Sequence, residues 1–367
     1  MINFTLSFDL RVPDLGTPPK EIYAAALDMC AYGDEARIPY VNIMEHHGAK
    51  DGYLPAPMVV AGAIAARTKH MRIIIAALLL PLHDPVEVAE QIAVADLLSN
   101  GRIDIVFGAG YVKSEFDMFG RNIKERGKAL DEGIPIIQRA LMGERFVANG
   151  RPIFVTPRPV QKPYPLLYAG GGVDAAAKRG ARLGIGLMPM TPALVPVYLD
   201  ECKRLGQKPG PIFTGLNWLH VSDTPEKTRK ELEPHLLHYC RSYAEFTEGA
   251  NSSSPFEGLT NMAAIEKSGL LNVVTPEQCA KLALEARKMQ GRFSIAPLIG
   301  GLSPKIGWKS LELLVEKVLP LMGYGKKKPK RTASAKSSTA AARSGKKKKP
   351  AAKTKKKVKR PSAKKRR

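Results

Sequence analysis

The run Ile73-Ile74-Ile75-Ala76-Ala77-Leu78-Leu79-Leu80-Pro81-Leu82-His83-Asp84-Pro85, continued by Val86 to Leu98, Gly101 and Ile103 to Gly108, holds one complete strand, helix and strand. Its first seven residues are apolar and open on three isoleucines, the make-up of a strand buried on both faces. Asp84-Pro85 supplies a cap and a first-turn proline for a helix over 86–98, and Gly101 follows its end. A helix between two such strands is the crossover that parallel pairing requires.

The same alternation extends in both directions along the chain. Strand-like runs occupy Asn3 to Phe8, Tyr40 to Met44, Ile73 to Leu79, Ile103 to Gly108, Leu166 to Ala169, Gly184 to Met188, Ile212 to Val221 and Phe293 to Ile299. These make eight, the number a closed (β/α)8 TIM barrel needs, so the expected class is α/β. Pro18-Pro19 precedes a helix over Glu21 to Ala36, Thr224-Pro225 starts another, and Thr275-Pro276-Glu277-Gln278 reads as a capped start. Two stretches exceed a minimal barrel: residues 144–165, with Asn149-Gly150 as a hairpin turn, and residues 248–274, whose Asn251-Ser252-Ser253-Ser254-Pro255 reads as a mobile loop.

Charge divides the chain in two. Of its 367 residues, 57 are Lys or Arg and 34 Asp or Glu, a net charge of +23. Residues 326–367 contain 21 of the basic residues and no acid, which leaves 23 − 21 = +2 for the rest. The expected organisation is a barrel over 1–323 and a disordered basic tail over 324–367, too poor in large apolar residues to bury a core. Such a tail suits non-specific binding of nucleic acid or polyphosphate; without aromatic residues it offers no base stacking.

Four scattered cysteines, Cys30, Cys202, Cys240 and Cys279, form no Cys-x-x-Cys pair, so disulfides and structural zinc are not expected. The opening residues lack the basic start and apolar core of a signal peptide, and no run approaches the roughly 18 apolar residues of a membrane span. The expected location is cytoplasmic.

Met44-Glu45-His46-His47, with Gly48 behind it, closes the second strand, and the carboxyl ends of barrel strands are where catalytic groups collect. Metal binding is a poor use of these three residues, because neighbours on an extended chain point to opposite faces and the His-Glu-x-x-His spacing is missing. Proton transfer suits a histidine here better. Ala169-Gly170-Gly171-Gly172 runs from a strand into a helix, where free amides and the helix dipole favour a phosphate; a turn shaped only by packing is the competing reading. Gly108-Ala109-Gly110 ends the fourth strand, and Arg126 opens a helix from which it could reach a phosphate.

Taken together, Glu45-His46-His47, Pro55-x-Pro57, Thr68-x-x-Met71-Arg72-Ile73, Leu80-Pro81-Leu82-His83-Asp84-Pro85, Ala89-Glu90 and Asp96 to Arg102 resemble one family, the bacterial-luciferase-like flavin-dependent oxidoreductases. The likeness continues through Gly108-Ala109-Gly110, Glu115-Phe116-x-x-Phe119-Gly120, Pro163-Tyr164-Pro165, Ala169 to Gly172 and Gly300-Gly301-Leu302. The resemblance implies a barrel holding FMN, or in some relatives a 5-deazaflavin, at the carboxyl ends of its strands. It implies His46 at the flavin's reactive edge with Glu45 and His47 supporting it. It implies a non-prolyl cis peptide at Ala76-Ala77 behind the flavin ring, Gly108 and Gly110 along the pocket, and Gly170, Gly171, Gly172 and Arg126 about the phosphate. The chain departs from the luciferases proper at Ala109, where they place an arginine, and at Tyr111, where many relatives have tryptophan, and this argues against light emission.

The function this implies is a monooxygenase that takes reduced FMN from a flavin reductase and uses O2 to oxidise a small organic substrate. Hydride transfer with a 5-deazaflavin, and non-catalytic flavin binding with a polyanion-binding tail, are the alternatives. A homodimer fits the family.

Overall fold

A computed structural model describes residues 2–214, 217–247, 256–288 and 291–325. Its strands are β1 (Phe4–Phe8), β2 (Tyr40–Ile43), β3 (Arg72–Leu78), β4 (Ile103–Phe107), β5 (Phe146–Ala148), β6 (Arg151–Ile153), β7 (Leu166–Gly171), β8 (Gly186–Pro189), β9 (Trp218–Val221), β10 (Leu271–Val274) and β11 (Phe293–Ile295). Nine of them form one parallel sheet in the order β10-β9-β11-β1-β2-β3-β4-β7-β8. The free edge of β8 meets the stretch just before β9: Leu187 N–H donates to the Pro211 carbonyl and Phe213 N–H to the Leu187 carbonyl, both at 3.0 Å. That contact pairs the β8 edge with the stretch that precedes β9 in the chain, in the manner of a closed barrel.

All eight expected strand positions bear strand, with two narrowed. Among the described residues of Ile212 to Val221, Trp218–Val221 is regular strand and Ile212 makes a single bridge to Leu187; in Phe293 to Ile299 the strand stops at Ile295 and Ile299 opens a 3-10 turn. The reading of 248–274 as a loop is corrected: a helix, Met262–Ser268, and the strand β10 fill most of its described part. Four-residue Leu271-Asn272-Val273-Val274 is too short to stand out beside the polar run at 251–255, which lies outside the described residues. β5 and β6 form the expected hairpin, with Asn149 and Gly150 at φ 52° and 73° in its turn.

Helix punctuation follows the sequence. Asp84 accepts from Val86 N–H at 2.8 Å to start the helix Pro85–Ser99, which ends on Asn100 in the left-handed region. Thr275 and Gln278 cap the helix Pro276–Lys288 reciprocally, Thr275 N–H donating to Gln278 Oε1 at 2.9 Å and Gln278 N–H to Thr275 Oγ1 at 3.3 Å.

Alternation along each strand separates two layers. Ile73, Ile75, Ile103, Ile105, Phe107, Leu167 and Ala169 point outward into the core under the helices. Ile74, Val106 and Tyr168 point inward, with Ala76 and Ala77 packed on them. At the amino end the interior is plugged: Arg72 Nε donates to Asp104 Oδ2 at 2.8 Å, and Arg292 stacks on Tyr40 and Phe213. At the carboxyl end the inward residues shrink to Ala76, Ala77 and Gly170, all part-exposed, and a cleft opens there.

Candidate active site

β2 delivers Glu45, His46 and His47 to the cleft and buries all three. Their side chains alternate as an extended chain requires. Glu45 and His47 share one side, with His47 Nε2 at 2.8 Å from Glu45 Oε1. His83, from the loop after β3, joins them with its Nε2 at 2.6 Å from the same oxygen, and Leu79 N–H donates to Glu45 Oε2 at 2.7 Å. Burial pushes the Glu45 carboxyl up, but the hydrogen bonds from His47 and His83 outweigh it and hold the carboxyl below its usual range. Glu45 therefore ties the end of β2 to the end of β3.

His46 turns the other way. Its Nδ1 lies 2.8 Å from Oε1 of Glu115, on the helix Lys113–Met118 beyond β4, and that oxygen also accepts from His47 N–H at 2.9 Å. A proton on Nδ1 satisfies the carboxylate and leaves Nε2 as a lone pair, facing the Tyr111 hydroxyl at 3.4 Å. Tyr53, Tyr111, Tyr243 and Phe246 surround the ring, Phe246 stacked at 4.6 Å between centroids. Glu115 was quoted in the sequence only as part of the resemblance; no local pattern announces a residue that acts across the barrel mouth.

Beneath the rings lies Arg11, fully buried just past β1 and likewise unannounced. Its guanidinium pairs with Asp51, lies 3.6 Å from Asp9, and packs at 4.3 Å on Tyr53 and 5.0 Å on Tyr243. His238, on the helix Pro225–Thr247, completes the group at 2.8 Å from Asp51 Oδ2. That helix is thereby fastened over the barrel mouth, and Tyr243 and Phe246 are set against His46.

The Ala76–Ala77 peptide is cis, and the β3–β4 register shifts between Ala76 and Leu78 to accommodate the bulge. Gly108 and Gly170 leave it room: a Cβ at Gly108 would stand 2.7 Å from the Ala77 Cβ, and one at Gly170 would stand 2.6 Å from Val106 Cγ1 and 4.0 Å from Ala77. Gly110 lies in the left-handed region, and a Cβ there would meet the Phe116 ring at 2.9 Å. Gly171 and Gly172 run into the helix Asp174–Arg182, whose first turn has no side-chain cap, while Ala176 N–H donates to the Val173 carbonyl at 2.9 Å. Arg126 begins the helix Arg126–Met142, where its Nη1 donates to the Ile123 carbonyl at 2.8 Å. That helix adjoins the one after the glycine turn through Arg179, whose Nε donates to Asp131 at 2.6 Å. The cis bulge, the glycines beside it and the uncapped helix start after Gly172 lie at the ends of the adjoining strands β3, β4 and β7.

A family model for luciferase-like monooxygenases matches residues 4–289. The chain belongs to this family. Limonene 1,2-monooxygenase of Rhodococcus erythropolis is 24% identical over 294 residues, 75% of each chain. The oxygenase component of the flavin-dependent trigonelline monooxygenase of Acinetobacter baylyi is 28% identical over 165 residues, 43% of this chain and 45% of that one. Several curated relatives are matched over only about half their length, 48% and 52% in two further cases. Among solved structures, the oxygenating constituent of 3,6-diketocamphane monooxygenase from Pseudomonas putida, in complex with FMN, superposes with a TM-score of 0.67 at 16% identity, over 87% of this chain and 99% of that one. An F420-dependent secondary alcohol dehydrogenase does so with a TM-score of 0.65 at 17% identity, over 88% and 99%. At these identities the structures speak for the fold alone, a luciferase-like barrel. Among the described residues, no helix of this luciferase-like chain is long and apolar enough to cross a membrane.

Proposed function

We propose that this protein is the oxygenase of a two-component flavin-dependent monooxygenase, taking reduced FMN from a separate reductase and using O2 to oxidise a small organic substrate. The observation that carries the reading is His46 at the barrel mouth, its Nδ1 held by Glu115 and its Nε2 toward the Tyr111 hydroxyl, beside a cis bulge between glycines. The relative described as an oxygenase component and the neighbour holding FMN support it. Bound FMN would supply the electrons and the site of oxygen activation. The chain's residues do the rest. Ala76-Ala77, Gly108 and Gly110 would seat the ring, and Gly170 to Gly172, with Arg126 on the neighbouring helix, would hold the phosphate. Tyr53, Tyr111, Tyr243 and Phe246 would exclude water, and His46 Nε2 would accept or return a proton beside the substrate.

Titrating the purified full chain with FMN and following flavin fluorescence tests the reading. Saturation at one FMN per chain supports it; binding of the 5-deazaflavin F420 in preference to FMN supports instead a hydride transferase, the reading that the F420-dependent neighbour favours.

The tail is a second module in this reading. Its 21 positive charges over residues 326–367 would hold DNA, RNA or polyphosphate with a steep salt dependence. Deleting 326–367 should abolish retention on DNA at low salt and leave FMN binding intact; loss of FMN binding as well would contradict a separate module. Sedimentation of the same samples tests the homodimer that the family suggests.

A further inference from the structure

We propose that Glu45, His47 and His83 form a binding site for one divalent transition-metal ion of the zinc class. Within residues 45–47 alone the idea fails, because the two histidines point apart. His83 changes this, since it brings a second imidazole to Glu45 from the loop after β3. The ligand atoms of Glu45, His47 and His83 all lie within 4.8 Å of one another, and both Nε2 atoms aim at a single carboxylate oxygen. Two nitrogens and one carboxylate are a common donor set for such ions, with ligands at roughly 2.0 to 2.2 Å from the metal. Seating an ion would widen the two hydrogen-bonded contacts by several tenths of an ångström. Ligation would use both Nε2 lone pairs, so each bound imidazole would carry its remaining proton on Nδ1.

Two further features favour the site. Leu79 N–H holds Glu45 Oε2, the kind of outer hydrogen bond that fixes a ligating carboxylate and leaves its other oxygen directed at the imidazoles. His83 is 28% exposed, and with Glu45 it lines a cavity of about 500 Å3 between the helices Pro57–Arg67 and Pro85–Ser99. Pro55, Val59, Gln91 and Leu98 form other parts of its wall. An ion could therefore reach Glu45 and His83 from the helical layer without passing the barrel mouth. The inference stands on these residues whether or not the barrel holds FMN.

Titration of the full chain with Co2+ tests it. The expected result is one visible d–d absorption band that saturates at one Co2+ per chain and is displaced by Zn2+. His83→Ala and the milder His83→Gln should each lower Co2+ affinity at least ~10-fold with the far-ultraviolet dichroism unchanged. His238→Ala, a histidine outside the group, should leave the band as it was. Absence of the band from the unmodified protein, or a band of equal affinity in the folded His83→Gln protein, which marks adventitious binding only, would overturn the proposal.

Discussion

His46 Nδ1 and Glu115 Oε1 stand 2.8 Å apart, joined across the barrel mouth by residues 69 positions apart in the chain. The same oxygen takes the His47 N–H, while Glu115 Oε2 is buried and has no hydrogen-bond partner. Glu115 therefore fixes both the orientation of His46 and the nitrogen that carries its proton. Glu115→Leu keeps bulk and removes both acceptor oxygens. It should abolish the Nδ1-protonated signature of His46 in ring-nitrogen NMR while changing FMN affinity less than about threefold, and slow turnover by roughly 10- to 100-fold. An unchanged tautomer would contradict the role.

The space beside the cis bulge is a second testable feature. Gly108→Ala would place a methyl 2.7 Å from the Ala77 Cβ, closer than side chains tolerate. Overpacking of this kind costs about 1 to 3 kcal/mol, and here it should also weaken FMN binding at least ~10-fold. Gly62→Ala, whose added Cβ would meet only Leu98 at 3.8 Å, should leave FMN affinity unchanged in the same titration.

Arg11 is the buried charge under the aromatic rings. Arg11→Met keeps the bulk and leaves Asp51 only the His238 ring and the Tyr53 N–H, and breaking a buried pair from one side costs about 3 to 5 kcal/mol. Urea unfolding should register that loss. Adding Asp51→Asn should restore part of it, since the stranded charge is then gone.

Asp51 also sets an acid limit. Burial pushes its carboxyl up, but the His238 hydrogen bond and the Arg11 charge outweigh this and bring it down to about 2 from 3.8. A carboxyl depressed in the folded state stabilises fully above its ordinary value and loses that contribution as pH falls through the folded one. Asp51 should contribute roughly 2 kcal/mol above pH ~4 that vanishes toward pH 2, Asp9, Arg11 and His238 being its charged neighbours. Asp51→Asn should flatten that limb of the stability profile. An unchanged slope between pH 4 and 2 would show that Asp51 is not responsible.

The fold was legible because each strand and helix carries its own local signal. Ile73 to Leu79 and Ile103 to Gly108 are apolar on both faces, and Asp84-Pro85 and Thr275-Pro276 mark helix starts with the very residues that cap them. β10 escaped because its four residues are stabilised by pairing with β9, a contact remote in sequence. The site divides in the same manner. Glu45 to His47 and the cis pair at 76–77 could be placed from strand position and family resemblance, since each lies on one short segment. Glu115, Arg11 and His83 could not, because their roles depend on partners 69, 40 and 38 residues away, brought close only by closure of the barrel.

Mixing the anaerobic complex of the full chain and reduced FMN with O2, and following the return of oxidised-flavin absorbance, tests the central claim most directly. The account predicts that oxidised flavin reappears at least ~10-fold more slowly than from free reduced FMN, because the enclosed cleft withholds water and His46 governs the proton. It predicts that His46→Ala, with FMN still bound, returns the rate toward that of free FMN. Reoxidation at the free rate in the unmodified protein, or an equally slow return in His46→Ala, would contradict it.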